Sequence, residues 1–459
     1  MTNSRLIIFI LLVSFVGGLI ISRFEVRSIF IIVGVVLSLI VLLNTYWGLF
    51  IIIMLFPFMV GFSEGVDAAE QAFTVLFSLW LIGWLTRLLL DRSEKWHFGW
   101  HPVSKPTLAI CIVLAMGAVI GLLNGAPFID VFRDLSQYVG YLIMLPVLGV
   151  VHSRKLAWRL LIIILLIGLP CYIYSSFIGW ARKFGHEYGS LNIAFVGSAY
   201  WGPIMGALWP LVILDTKRRT RLLCAFALFL LFIFTLGLGY RSRLIEIIVM
   251  TFVAIWGIWA IQSGKRKMAV AIPAIIGGLF FLWFIGGTLG HLPLPGGDKA
   301  RSRYSTMLSS QALLSDESVQ GRLMEAQTAL GVFWKNPLFG QGLGHHVEFL
   351  RKGRLWWYGG FGQHVWPTAM LMKFGAAGAC IFIWYFISIL RFSFIVAKKV
   401  DEPMIKAIAL GIFVWIIMFL VPTVGSISNR GFTFMVGLTI GILPALAGQH
   451  PYGQKIVNG

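Results

Sequence analysis

Apolar stretches long enough, or nearly so, to cross a hydrocarbon layer of about 30 Å recur along this whole chain, and that feature leaves few folds open. Inside lipid every backbone N–H and C=O must be satisfied within the protein, so continuous runs of this kind read as helices. They fall near residues 6–21, 29–43, 47–62, 72–90, 107–123, 138–151, 160–178, 202–214, 222–239, 243–261, 268–287, 367–390, 405–421 and 431–446. The reading is an all-α polytopic membrane protein with about 14 transmembrane helices, or about 12 to 14 where short neighbours merge or tilt. Composition agrees: 58% of residues are hydrophobic and 12% charged, with a mean hydropathy of +0.87, too little polar surface for a soluble domain.

The four cysteines, Cys111, Cys171, Cys224 and Cys380, sit in apolar stretches with no C-x-x-C or metal-type spacing, and read as small core residues. The formal net charge of +19 would suggest nucleic acid in a soluble protein. Here part of it belongs to the positive-inside rule. The short loops "DRSEKWHFGWHPVSKP", "HSRKLAWR", "DTKRRTR", "QSGKRK" and "RFSFIVAKK" are basic and fall at alternate connections, while "GFSEGVDAAEQ" is acidic. All five basic loops then face the cytoplasm with both termini, and the basic "SRFEVRS" falls outside as an exception. The first apolar stretch has no small-residue cleavage site after it and reads as a retained helix.

The same scheme gives one transmembrane domain over residues 1–459, with a single long extracytoplasmic segment at 288–366. Within it "GHLPLPGGDKARSRY" signals loop, and "DESVQGRLMEAQTALGVFWKN" has helical spacing with Asp316 or Ser318 as N-cap. The segment holds Lys299, Arg301, Arg303, Arg322, Lys335, Arg351, Lys352 and Arg354 against Asp298, Asp316, Glu317, Glu325 and Glu348. The positive-inside rule cannot explain a basic excess on that side. Arg241 and Arg243 also fall outside, at the start of a span, where they serve as interfacial anchors or pair with Glu246 one turn on. Taken with the loop, outward arginines beside a carboxylate suit a phosphate ester, because guanidinium binds phosphate through two hydrogen bonds. An anion held beside a membrane on that face points to a lipid-linked pyrophosphate.

Here the residues resemble a family. "RYSTMLSSQALLSDESVQGRLMEAQTALGVFWKNPLFGQGLG", a histidine before the next span, and "KFGAAG" look like the signature region of the O-antigen ligase and polymerase superfamily. The matching positions are Ser242 and Arg243 at a helix start, Arg322 in the loop, Pro337–Gly344 at a glycine turn, and His364. Val365 stands where the family usually has asparagine, Met324–Ala326 where tryptophan is common, and Lys373 where an acid is more usual. The resemblance implies an inner-membrane glycosyltransferase that moves a glycan from undecaprenyl pyrophosphate to a hydroxyl of lipid A core, another repeat unit or a protein. It implies lipopolysaccharide or exopolysaccharide biosynthesis, without a cofactor or nucleic acid, alongside polysaccharide assembly and export proteins. Ligase and polymerase share this donor chemistry, and the ligase name fits the motif slightly better.

Such a transfer needs the leaving pyrophosphate stabilised and the attacking hydroxyl deprotonated. Arg243 and Arg322 suit the first task, and the chain has no D-x-D pair to bring a cation. His364 suits the second, or holds acceptor or phosphate, since imidazole titrates near neutral pH. Arg241, Glu246 and Glu325 are read as supporting substrate contacts, Glu325 also as the partner of Arg322 at i, i+3. Arg182, with Lys183, His186 and Glu187, lies in a second outer loop that either touches substrate or is a solvated connection. Gly340, Gly342 and Gly344 permit conformations other residues resist and let amides approach phosphate. His345 is a further contact. A metal site from His345, His346, Glu348 and His364 is not favoured, because adjacent histidines rarely point the same way. "RLWWYGGFGQHVW" reads as an interfacial aromatic belt before a sugar platform. Lys373, two turns into its span, must face the bundle interior or a wet cavity. A transporter or flippase for an anionic lipid-linked glycan, and a membrane scaffold, stand as alternatives from other classes.

Overall fold

The structure is a computed structural model and describes residues 26–59, 68–90, 101–151, 153–183, 206–214, 217–238, 241–262, 317–345, 347–351, 354–358, 365–420 and 430–448. The chain separates into two compact units, residues 1–59 with 68–95, and residues 60–67 with 96–459.

In the first unit α1 (Val26–Leu43), α2 (Thr45–Met59) and α3 (Ala68–Leu90) pack on one another. Asn44 between α1 and α2 breaks the apolar run and caps α2. Its Oδ1 accepts the amides of Tyr46 and Trp47, both at 3.1 Å, which satisfies two of the orphan donors at the start of that helix. Trp80 of α3 donates its indole N–H to Thr45 O at 2.8 Å. Small residues set the contacts: a Cβ at Gly83 would lie 2.4 Å from Leu42 O.

The second unit contains α4 (Ser104–Leu123), α5 (Phe128–Tyr138), a 3₁₀ turn (Val139–Ile143), α6 (Met144–Val150) and α7 (Arg154–Lys183). A helical stretch at 206–214 comes next, then α8 (Arg218–Leu238), α9 (Arg241–Ile261) and α10 (Glu317–Phe333). The chain continues through strands β1 (Val347–Arg351) and β2 (Arg354–Tyr358) to α11 (Trp366–Lys399), α12 (Pro403–Leu420) and α13 (Arg430–Leu446). Among the described residues four helices are long and apolar enough to cross a membrane: Ala72–Leu90 of α3, α4, α11 and α12. The shorter apolar helices are Val33–Leu43, Thr45–Phe56, Ile248–Ile261 and Gly431–Leu446. The expected spans 6–21 and 268–287 lie outside the described residues.

Burial tells which helices are central. α13 is buried all round from Gly431 to Leu446, as a helix apolar on every face must be. It packs on the 3₁₀ turn and α6, where Gly140 and Gly437 let backbones meet: a Cβ at Gly437 would lie 2.4 Å from Gly140 O. The expected span at 138–151 is therefore a 3₁₀ turn followed by a seven-residue helix. They follow α5 without a break, and their core side chains face protein. α4, by contrast, exposes Leu108, Ile112, Met116 and Val119, the lipid-facing side of an apolar span.

Two features depart from the all-helical expectation. The loop before α11 carries a two-stranded antiparallel ribbon, with Val347 opposite Tyr358 and Arg351 opposite Arg354. The other is a break inside α11 at Gly375, whose φ of 64° and ψ of −171° no helix accepts.

Candidate functional site

The break divides α11 into a short amino-terminal piece ending at Phe374 and a long piece beginning at Ala376. Each new end should leave orphan backbone groups. The glycine turn after α10 supplies their partners. Gln341 N donates to Met372 O at 2.8 Å and Gly342 N to Lys373 O at 3.0 Å, closing the carboxyl end of the first piece. Ala376 N donates to Pro337 O at 2.9 Å and Ala377 N to Leu338 O at 3.1 Å, closing the amino end of the second. The turn thus occupies the break. It also leans on α4: Leu343 N donates to Gly117 O at 2.8 Å, and Asn124 Nδ2 donates to Gln341 O at 2.9 Å. Irregular backbone at this level is tolerated because protein surrounds it on these sides.

The glycines are there for contact and for handedness. Gly340, Gly342 and Gly344 have φ of 72°, 86° and 77°. A Cβ at Gly342 would lie 2.1 Å from Gly121 N, and one at Gly121 would lie 2.0 Å from Leu343 O. Their amides, expected to approach phosphate, have partners within the protein. Gly340 N donates to Asn336 O at 2.9 Å, Gly342 N to Lys373 O, and Gly344 N to Asp134 Oδ2 at 3.0 Å. All three donors are engaged within the protein, so these glycines shape the turn.

Lys373 faces inward, as its place in a span requires, and is 1% exposed. Its Nζ lies 2.5 Å from Asp134 Oδ1, and Asp134 is 0% exposed. Sequence reasoning did not single out Asp134. Its signal lay in the amphipathic α5, whose buried face carries Asp130, Val131, Asp134, Gln137 and Tyr138, and in the rule that an intramembrane lysine needs a counter-charge. Arg133, on the same helix, lies 3.4 Å from Asp130 Oδ1. Lys373 also stands at the carboxyl end of the short piece of α11, where the helix dipole favours a cation.

The structure brings some expected residues to this neighbourhood. α10 begins at Glu317, where an N-cap at Asp316 would place it, and buries Gly321, Glu325, Ala329 and Phe333 at a spacing of four. That stripe packs along α11, with Ala329 against Met372. Glu325 is 2% exposed, so it lies inside the contact and not in solvent. Arg322 is half-buried beside the stripe, and His345, half-buried, comes directly after the turn. Glu348 falls on β1 in register with Trp357. Arg241, Arg243 and Glu246 fall in the first two turns of α9, which begins at Arg241 with no acidic residue in its first turn. Trp256 near the other end of α9 stacks on Phe394 of α11 and Phe413 of α12, centroids 6.1 and 6.0 Å apart. Counted back at 1.5 Å per residue, Arg241 and Gly375 come to the same end of the bundle within roughly 6 Å of height. Arg182 lies in the last turn of α7. His364, His346, His186 and Glu187 lie outside the described residues, as does the whole segment 359–364.

At the opposite end of α4, His101 packs edge-on against Phe392, centroids 4.5 Å apart. Burial lowers its pKa from 6.5 to about 4, so the ring is neutral at physiological pH. Among the described residues no group of three or more His, Cys, Asp or Glu side chains could hold a metal ion. No protein-family model matches the chain, and a search of curated protein sequences finds no match.

Proposed function

We propose that the protein is a membrane glycosyltransferase of the O-antigen ligase type, acting on an undecaprenyl-pyrophosphate-linked glycan at the outer face of a bacterial inner membrane. The observation that carries the reading is the seating of Pro337–Gly344 in the break of α11, on the end of α4 that the loop charges assign to the outside. It makes α10 with Arg322, the turn and the start of α11 one folded unit, in the order the motif requires. The count of about 12 to 14 spans and the cytoplasmic termini belong to this proposal.

The chemistry follows from charge. An acceptor hydroxyl oxygen bonds to the anomeric carbon of the donor, the bond from that carbon to the pyrophosphate oxygen breaks, and its electron pair leaves with the pyrophosphate. Arg322 and Arg243 neutralise the departing charge, with Arg241 beside them. The amino end of α9 favours an anion as well, since two arginines sit where the helix already carries positive partial charge. His364 takes the hydroxyl proton or holds the acceptor. The polymerase reading differs only in the acceptor.

One observation favours a transporter or flippase: α11 is a discontinuous helix, the device with which transporters build ion sites. The turn, however, takes two carbonyls of one end and two amides of the other, which are the groups an ion would otherwise meet there. The deciding experiment is transfer by purified protein with a lipid-pyrophosphate glycan, candidate acceptors and excess chelator. Product from the wild type and none from Arg322→Ala supports the transferase. Donor binding without product from any acceptor moves the reading to the transporter.

A further inference from the structure

Three interactions and a short length of chain close a ring around the end of the glycine turn. Lys373 O accepts the amide of Gly342, the chain leads on through Leu343 to Gly344, Gly344 N donates to Asp134 Oδ2, and Asp134 Oδ1 receives Lys373 Nζ. Lys373 therefore acts twice, once through its backbone and once through its side chain. We propose that Asp134 and Lys373 are positioning residues: the pair docks the turn in the break of α11 and so holds α10, with Arg322, and His345 in their working places.

The argument rests on where the ring sits. Asp134 comes from α5, Gly344 from the turn and Lys373 from α11, so one carboxylate ties three elements together. Other hydrogen bonds of the turn join backbone groups, the Asn124 amide to Gln341 O, or Gln341 Nε2 to Val332 O at 3.5 Å; none of these carries a charge, and any sequence of similar shape would keep the backbone set. The charged pair depends on side-chain identity, so it distinguishes this docking from slipped arrangements. His345 is the next residue after the one that Asp134 holds, and Arg322 is fixed through α10, whose last turn runs directly into the turn by way of Asn336 N to Phe333 O at 3.0 Å. Neither Asp134 nor Lys373 need touch substrate for this role. The role of the docked turn in transfer rests on the proposed function, whereas the docking itself does not.

The test uses the full chain, purified in detergent, with hydrogen–deuterium exchange read on peptides covering 334–345. Asp134→Asn, Lys373→Met and the exchange of charges Asp134→Lys with Lys373→Asp are compared with the wild type. The expected result is exchange at least about tenfold faster over 340–344 in each single variant, with α12 and α13 still protected, and partial recovery in the doubly exchanged variant. Unchanged exchange in both single variants overturns the proposal, and so does loss of protection throughout α12 and α13, which would make the pair a general support of the fold. A second arm measures undecaprenyl-pyrophosphate-glycan transfer by the same proteins. There kcat should fall about a hundredfold in the single variants with little change in donor KM, and Lys373→Arg should regain part of it. A wild type that transfers nothing sinks the glycosyltransferase reading and leaves the exchange result to decide the docking role.

Discussion

Among the described residues two ion pairs join separate elements of the second unit, and they share little beyond their chemistry. Arg154, at the start of α7, meets Glu402 just before α12 with side chains 48% and 41% exposed. Lys373 and Asp134 meet at 1% and 0%. Water screens the first pair, so it contributes about 0–1 kcal/mol. The second has surrendered its water, a cost of several kcal/mol per ion that only close geometry and further hydrogen bonds offset. Those are present: the Gly344 amide on the second carboxylate oxygen, the helix end beneath Lys373, and the Tyr138 ring 5.9 Å from Nζ. The exposed pair is a tether between solvated ends. The buried pair selects one arrangement of three elements.

The comparison breaks most easily at its buried end. Lys373→Met leaves the Asp134 charge inside the protein without its partner and should cost about 3–5 kcal/mol, read by unfolding of the purified protein. Lys373→Met combined with Asp134→Leu should recover most of that loss. If the single change costs no more than the exposed pair, the contrast is wrong. Next comes Gly342→Ala, which sets a methyl group against the Gly121 backbone and keeps φ at 86°, for about 2–3 kcal/mol. Gly125→Ala is its control: φ is 80°, nothing lies within 4 Å, and the cost should be only about 1 kcal/mol.

His101 sharpens the comparison at the far end of α4. Its folded pKa of about 4 lies below the unfolded 6.5, so as pH falls the unfolded chain takes up the proton first. Its contribution is full above pH 6.5 and is lost between there and about 4. Wild type minus His101→Gln should therefore show a loss of stability on the order of 2 kcal/mol across that window and none above it. A flat difference curve would contradict the buried placement. Arg154→Ala should be the mildest change, under about 1 kcal/mol and fading with salt.

Helices were legible wherever apolar runs were long. α3, α4 and α12 fall within a few residues of the stretches assigned to them, and α11 begins one residue early and runs nine residues past its stretch, because apolar length is written directly in hydropathy. α10 begins at Glu317, within a residue of both candidate caps, Asp316 and Ser318. The hairpin was hidden by its basic and aromatic content. The glycines of the turn were visible as special, but their reason was not, since the contact of Gly342 with Gly121 spans much of the sequence. Asp134 escaped for the same cause. A lysine within a span demands a partner, yet nothing in local spacing says which carboxylate of α5 will reach it.

The break in α11 also bears on how the molecule is assembled. The piece before Gly375 is about 13 Å long and cannot cross a bilayer, while the piece after it, about 36 Å, can. Synthesis runs from the amino end, so α4, α5 and the glycine turn all precede the helix that the turn interrupts. Of the four parts that meet at the break, α11 is therefore the last to be made, and the turn gains the backbone partners at Met372, Lys373, Ala376 and Ala377 only once it is present.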